Sequence, residues 1–255
     1  MIENEKIIGI VGGMGPRAGL ALHESIVKHS EAKTDQDHIS IAHLSYSKVI
    51  EDRTKFLEGF TLENPANKIV EIIQLLYRSG AGIIGIPCNT THVPRIFDVI
   101  TKELKNKGIE VSLKHMVHET VKHTKYMYPN AKKIAVMSTN GTYKSNVYTT
   151  PLENQRFEVF IPEKHFQDKV IHRMIYDPVF GLKANFEVTP PVYELLNQAL
   201  QYFLENKVEV IILGCTEFSL IPRERMTLIP IVDSLDVLAQ SLVTGVRSEI
   251  NALAI

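Results

Sequence analysis

The chain has 255 residues, 44% hydrophobic and 22% charged, with 28 Lys plus Arg against 29 Asp plus Glu for a net charge of -1. That composition belongs to a globular protein with a sizeable core and excludes a disordered chain or a fibrous repeat. It offers no basic surplus for a phosphate backbone and no apolar run long enough for a bilayer, so neither nucleic acid nor membrane is an expected partner.

The start, Met1-Ile-Glu-Asn-Glu-Lys6, lacks the basic-then-apolar pattern of a secretion signal, so a cytoplasmic location is expected. In that reducing compartment the two cysteines, Cys88 and Cys215, are free thiols. Residues 6–11 (KIIGIV) read as a short strand, closed by Gly12-Gly-Met-Gly15 and by Pro16, a residue favoured at the first helical position. A helix to about residue 30 and a strand near 39–44 follow. Helical spacing of Ile69, Ile72, Ile73 and Leu76 marks a helix over 65–78, and a buried strand over 82–86 runs into Pro87-Cys88-Asn89-Thr90. A helix over about 95–107 stops at Gly108, and 109–113 supplies a fourth strand.

The pattern then restarts. Residues 133–137 (KIAVM) form a strand entering Ser138-Thr-Asn-Gly141, with a helix near 144–153 and a short strand at 157–161. A helix over 190–205 precedes a buried strand at 208–213, which enters Gly214-Cys215-Thr216-Glu217. A last strand at 229–232 is followed by a helix over 235–252, capped by Asp233 or Ser234. Short apolar strands alternating with helices predict an α/β protein whose parallel sheets are covered on both faces.

Cys215 lies 127 residues after Cys88, and Lys133 lies 127 after Lys6. This weak internal repeat predicts two pseudo-symmetric lobes, each a parallel sheet flanked by helices, with the active site in the cleft between them. The expected domains are 1–114 plus 233–255, carrying Cys88, and 115–232, carrying Cys215.

Each cysteine follows the carboxyl end of an apolar strand, the edge where open α/β sheets bind ligands. A lone cysteine there reads as a small buried hydrophobe. A related pair reads differently. Inverting a carbon centre by proton transfer needs a base on one face and an acid on the other, and a thiol with a pKa of about 8.5 needs only a modest shift to serve near neutral pH. No cofactor is required by this logic. Gly13 and Met14 belong to a tight turn that lets a substrate approach the backbone, and the turn 138–142, with Thr139, is its counterpart in the second lobe. The glycines also fit GxGxxA, but the second strand ends in Ser45-Tyr46 rather than in the acid a dinucleotide site requires. No CxxC or HExxH spacing supports a metal site. His92 reads as a helix-start residue, and His115, His118 and His123 as a solvated connector.

Gly12-Gly-Met-Gly-Pro16, Asp52-Arg53, Pro87-Cys-Asn-Thr-Thr-His92, Ser138-Thr-Asn-Gly-Thr142 and Leu213-Gly-Cys-Thr-Glu217 resemble the aspartate/glutamate racemase family over nearly the whole chain. The resemblance implies cofactor-independent (PLP-independent) racemisation of an acidic amino acid, aspartate or glutamate, by a two-cysteine mechanism in a homodimer. It implies Cys88 and Cys215 as the catalytic pair, and Asn89, Thr90, Thr216 and Glu217 around the substrate's amino and carboxylate groups. Arg53 and a second-lobe lysine, Lys183 with Lys164 as the alternative, match a cationic pair. Arg also suits the role physically, because it binds a carboxylate bidentately. A decarboxylase or dicarboxylate cis–trans isomerase of the same superfamily, or a non-catalytic binder of an acidic metabolite, are the competing expectations.

Overall fold

The computed structural model describes residues 7–253. The chain divides into two compact units, one built from the residues up to Glu119 and from Leu235 onward, the other from Thr120–Ser234. Each unit has its own four-stranded parallel sheet.

In the first unit the strands are β1 (Ile7–Gly12), β2 (Ile41–Ser45), β3 (Ala81–Gly85) and β4 (Ser112–Lys114), in the order β2-β1-β3-β4. Its helices are α1 (Pro16–His29), α2 (Arg53–Leu57), α3 (Ala66–Arg78) and α4 (Pro94–Asn106). The chain then enters α5 (Met116–Met127), within which it passes to the second unit. The sequence of β1 shows why the sheet is covered twice. All six residues are buried, and successive side chains point to opposite faces. Ile7 and Val11 pack with Ile69, Ile73 and Leu76 of α3 and with Ile96, Ile100 and Leu104 of α4. Ile8 and Ile10 pack on the other face with Leu22 and Ile26 of α1, and with Leu235, Leu238, Leu242 and Val246 of α11 (Ser234–Leu253). Burying each such side chain contributes roughly 1.5–3 kcal/mol.

The second unit repeats the plan. Its strands are β5 (Lys133–Ser138), β6 (Glu158–Phe160), β7 (Val210–Gly214) and β8 (Ile231–Asp233), in the order β6-β5-β7-β8. Between them lie α6 (Asn140–Ser145), α7 (Thr149–Asn154), α8 (Lys164–Phe166), a single π-helical stretch over Gln167–His172, α9 (Arg173–Tyr176) and α10 (Pro190–Glu205). One sheet face carries Ala135, Met137, Ile211 and Leu213 against Leu196, Leu200 and Phe203 of α10 and Ile171, Met174 and Ile175 of the π/α9 segment.

Several expectations need correction. The single helix near 144–153 is two, α6 and α7, because Asn146 turns left-handed (φ 55°) and breaks the ladder. The helical segment 164–176 carried no clear period and was not anticipated. The strand expected at 109–113 begins later, at Ser112. His115, His118 and His123 lie where the chain passes between the units, as expected, with His118 exposed and the other two half-buried. His118 and His123 lie on α5, and the His115 ring stacks on His118 with centroids 3.7 Å apart and meets the buried His92 edge-on at 4.8 Å. Lys6, the expected first residue of β1 and one anchor of the repeat, lies outside the described residues.

Candidate active site

In both units the cysteine and the turn paired with it in the sequence reading sit beyond the carboxyl ends of the two inner strands. In the first unit, β1 ends in the turn of Gly13 and Met14. Gly13 has φ +97°, and a Cβ there would stand 2.9 Å from the Ser47 nitrogen and 3.0 Å from that of Tyr46, so only glycine fits. Met14 is buried, and its sulfur accepts a hydrogen bond from Thr91 Oγ1 at 3.6 Å. Its carbonyl accepts from Arg53 Nη2 at 3.2 Å, while Arg53 Nη1 donates to the Glu51 carbonyl at 3.1 Å. Arg53 is therefore no surface arginine. It is 7% exposed at the start of α2, behind the capping carboxylate of Asp52, which accepts from Lys55 N at 2.9 Å.

Cys88 follows β3 and is extended (φ -153°, ψ 105°), at the mouth of a 3-10 turn formed by Asn89–His92. Cys88, Asn89 and Thr90 are all buried. The Cys88 carbonyl accepts from Thr91 N at 3.1 Å and from His92 Nδ1 at 3.0 Å. Because a carbonyl only accepts, His92 Nδ1 carries the proton, and the ring is the neutral Nδ1–H tautomer. Burial, reinforced against charge by His118, lowers the His92 pKa to about 4 and outweighs its backbone partners. His115 is lowered to about 3 by burial and by His92 and His118. His92 thus braces the cysteine turn through its backbone as a neutral ring, stacked on Phe97 at 5.1 Å.

In the second unit the register pairs Ser138 of β5 with Gly214 of β7, so the turns that follow them are neighbours. Thr139 caps α6 by accepting from Thr142 N at 3.4 Å. Cys215 is extended (φ -143°, ψ 127°) and opens a 3-10 turn over Thr216–Leu220, the backbone arrangement of Cys88. Its S–H donates to Glu217 Oε2 at 2.9 Å, and Thr216 Oγ1 donates to the same oxygen at 3.4 Å. The other carboxylate oxygen, Oε1, pairs with Lys183 Nζ. Burial and the adjacent Glu217 charge push the Cys215 thiol pKa well up, with Lys183 pulling the other way. Burial opposes ionisation of Glu217 too, but Lys183, the Cys215 S–H and its own backbone outweigh it and hold the carboxyl below its usual value. Cys215 is thus a protonated thiol beside an ionised carboxylate.

The structure brings Lys183, Glu217, Cys215 and Thr216 together in one unit, and Gly13, Met14, Arg53, Cys88, Asn89 and Thr90 at the same sheet edge of the other. Lys164 is exposed on α8. Sequence reasoning missed Gln167, which is fully buried and donates from Nε2 to the Ser138 carbonyl (2.9 Å) and to Asn140 Oδ1 (3.2 Å). It also missed His172 and Tyr148. His172 Nδ1 accepts from Asn140 N at 3.2 Å. The Tyr148 phenol is pushed up by burial despite Thr120 and Ser234 beside it, and Ser234 in turn donates to the Leu213 carbonyl at 2.6 Å. Only the i, i+4 spacing of His172 and Tyr176 left a trace in the sequence. Among the described residues no cluster of His, Cys, Asp or Glu is placed to hold a metal ion, and no helix is long and apolar enough to cross a membrane.

A profile of the Asp/Glu/Hydantoin racemase family matches residues 11–242. The broad specificity amino-acid racemase RacX of Bacillus subtilis (strain 168) is 26% identical over 244 residues, covering 93% of this chain and 97% of its own. Picrophilus torridus aspartate racemase has a TM-score of 0.78 at 28% identity over 95% of this chain and 94% of its own. Glutamate racemase isoform RacE1 from Bacillus anthracis shares the fold at a TM-score of 0.66 and 17% identity, covering 96% and 83% of the two chains.

Proposed function

This chain belongs to the Asp/Glu/Hydantoin racemase family, and from that premise we propose that it is an amino-acid racemase in which Cys88 and Cys215 exchange the α-proton of the substrate. One observation carries the reading. Each unit places a buried cysteine, in the same extended backbone conformation, at the mouth of a 3-10 turn beyond an inner strand. Aspartate and glutamate are the first substrates to test, because the Picrophilus torridus relative is an aspartate racemase. The Bacillus subtilis relative has broad specificity, which makes a panel of amino acids the right assay.

The proposed chemistry gives the two thiols opposite roles. Cys215 keeps its proton and donates it in a hydrogen bond to Glu217, so it is assigned as the resting acid. Cys88, as thiolate, takes the α-proton and becomes a thiol. The carbanion then receives the Cys215 proton on its opposite face, leaving Cys215 as thiolate and the α-carbon inverted. The reverse reaction exchanges the roles. No redox change and no additional reactant enters the balance, so no cofactor is called for. Arg53 and Lys183 are assigned to substrate carboxylate. Asn89, Thr90, Thr139, Thr216 and Glu217, with the backbone of Gly13 and Met14, are assigned to the amino and carboxylate groups. The assembly proposed is a homodimer.

The test is incubation with L- and D-amino acids in D2O without added cofactor, followed by chiral analysis. Deuterium should enter the α-carbon of the inverted product. Cys88→Ser and Cys215→Ser should each lower turnover by at least about 100-fold, the loss expected when a general acid or base is removed. Full activity of either variant overturns the mechanism. Carbon dioxide release selects a decarboxylase instead, and tight binding without exchange selects a binding protein.

A further inference from the structure

Residues 167–172 wind as a π-turn, a form with i→i+5 bonds that is rare outside short stretches. Its last residue, His172, accepts the Asn140 N–H and stacks its ring on Tyr176, with centroids 4.7 Å apart and planes 22° apart. Tyr176 in turn has Lys183 Nζ over its ring, 5.5 Å from the centroid. Lys183 pairs with Glu217, and Glu217 accepts the Cys215 S–H. One aromatic ring therefore stands between the turn that follows β5 and the cysteine that follows β7.

We propose that Tyr176 is a positioning residue of this half of the site: the face of its ring holds the Lys183 ammonium on Glu217, and so fixes the carboxylate that takes the Cys215 S–H. A lysine ammonium rides on a flexible stem with freely rotating donors, and nothing in its own geometry selects one rotamer. The negative face of an aromatic ring attracts it and narrows that choice. Without the ring, the ammonium spends less time on Glu217. The carboxylate charge beside Cys215 is then less compensated, and the thiol gives up its proton less readily. The proposal rests on Cys215 being an acid/base group of the reaction, but its consequence is read on the thiol itself.

The chain has two cysteines, so a Cys88→Ser background leaves Cys215 as the one thiol. Its alkylation by iodoacetamide is followed against pH in that background, with Tyr176→Phe, Tyr176→Leu and Lys183→Met added. Tyr176→Phe keeps the ring face and should reproduce the parent profile. Tyr176→Leu should alkylate about three- to tenfold more slowly below the midpoint, with the profile displaced to higher pH. Lys183→Met should move it the same way, and adding Tyr176→Leu to Lys183→Met should move it no further. An unmoved Leu profile overturns the proposal. So does a Phe variant that shifts as far as Leu, since the hydroxyl would then be the active feature. Should the Leu variant fail to fold, Tyr176→Met makes the same comparison. In the chain with both cysteines, the pH profile of racemisation should move with the thiol profile. If the thiol shifts while the parent shows no racemisation, the functional reading fails and the placement of Tyr176 stands.

Discussion

Replacing Lys183 by Met removes the cation from a carboxylate that cannot reach water. The side chains of Lys183 and Glu217 are 24% and 7% exposed. Breaking a buried pair from one side costs about 3–5 kcal/mol. The ammonium retains some contact with water, so the lower end, about 3 kcal/mol, is expected at pH 8. The sign of the pH dependence is set by Glu217. Against burial, Lys183 holds that carboxyl below its ordinary 4.5, so the pair contributes stability that is present above pH 4.5 and lost as pH falls through the lowered folded value. In the Met variant burial is opposed only by the Cys215 S–H and the Glu217 backbone, and the carboxyl rises. Stability is then lost as pH rises from 4.5 through the raised value. The gap between the two proteins therefore opens with pH. Thermal unfolding followed by circular dichroism reads it, at roughly 2–4 °C per kcal/mol for a chain of this size, or about 6–12 °C at pH 8, with the gap smaller at pH 4 and narrowing further below it. Adding Glu217→Gln to the Met variant should recover most of the loss, because the uncompensated charge is gone. A gap of equal size at pH 4 and pH 8 refutes the account.

Two further outcomes concern the first unit. Gly13→Ala places a methyl 2.9 Å from the Ser47 nitrogen at φ +97°, a backbone clash no rotamer relieves, and should lower the urea midpoint by the equivalent of about 2–3 kcal/mol, with a loss under about 0.5 kcal/mol counting against it. His92 is lowered from 6.5 to about 4, so the unfolded chain binds its proton first, and stability falls as pH drops from 6.5 to 4. That window is worth about 3 kcal/mol at 1.36 kcal/mol per unit, and His92→Phe should remove it from a urea-stability profile, whereas an unchanged slope would show that His92 is not its source.

The fold was legible where one period was carried by many residues. The fully apolar β1, the i, i+3, i+4 spacing of α3 and the Pro-led α10 all form where the pattern puts them, within one or two residues. Legibility failed where a single backbone angle or a long-range contact decides. Asn146, left-handed at φ 55°, splits a segment expected as one helix. The 164–176 segment is held by Gln167 reaching Ser138, a contact 29 residues away that no local signal encodes. The same division runs through the site. Cysteine, threonine and glutamate after an apolar strand are visible as a motif. That Glu217 serves as acceptor for its neighbour's S–H, with its charge met by Lys183 from 34 residues upstream, depends on tertiary packing. Arg53 likewise gains meaning only from the Met14 carbonyl 39 residues away.

The helix Ser234–Leu253 sets an order on biosynthesis. Ile8, Ile10 and Ile83 are covered on one side by Leu235, Leu238, Leu242 and Val246. A ribosome makes those strands well before the helix that covers them. The Thr120–Ser234 unit, uninterrupted in the chain, has all its residues in hand sooner. The nascent protein must carry a half-clothed isoleucine sheet until that helix is made, and truncation before residue 246 should leave the sheet sticky while the Thr120–Ser234 unit still folds.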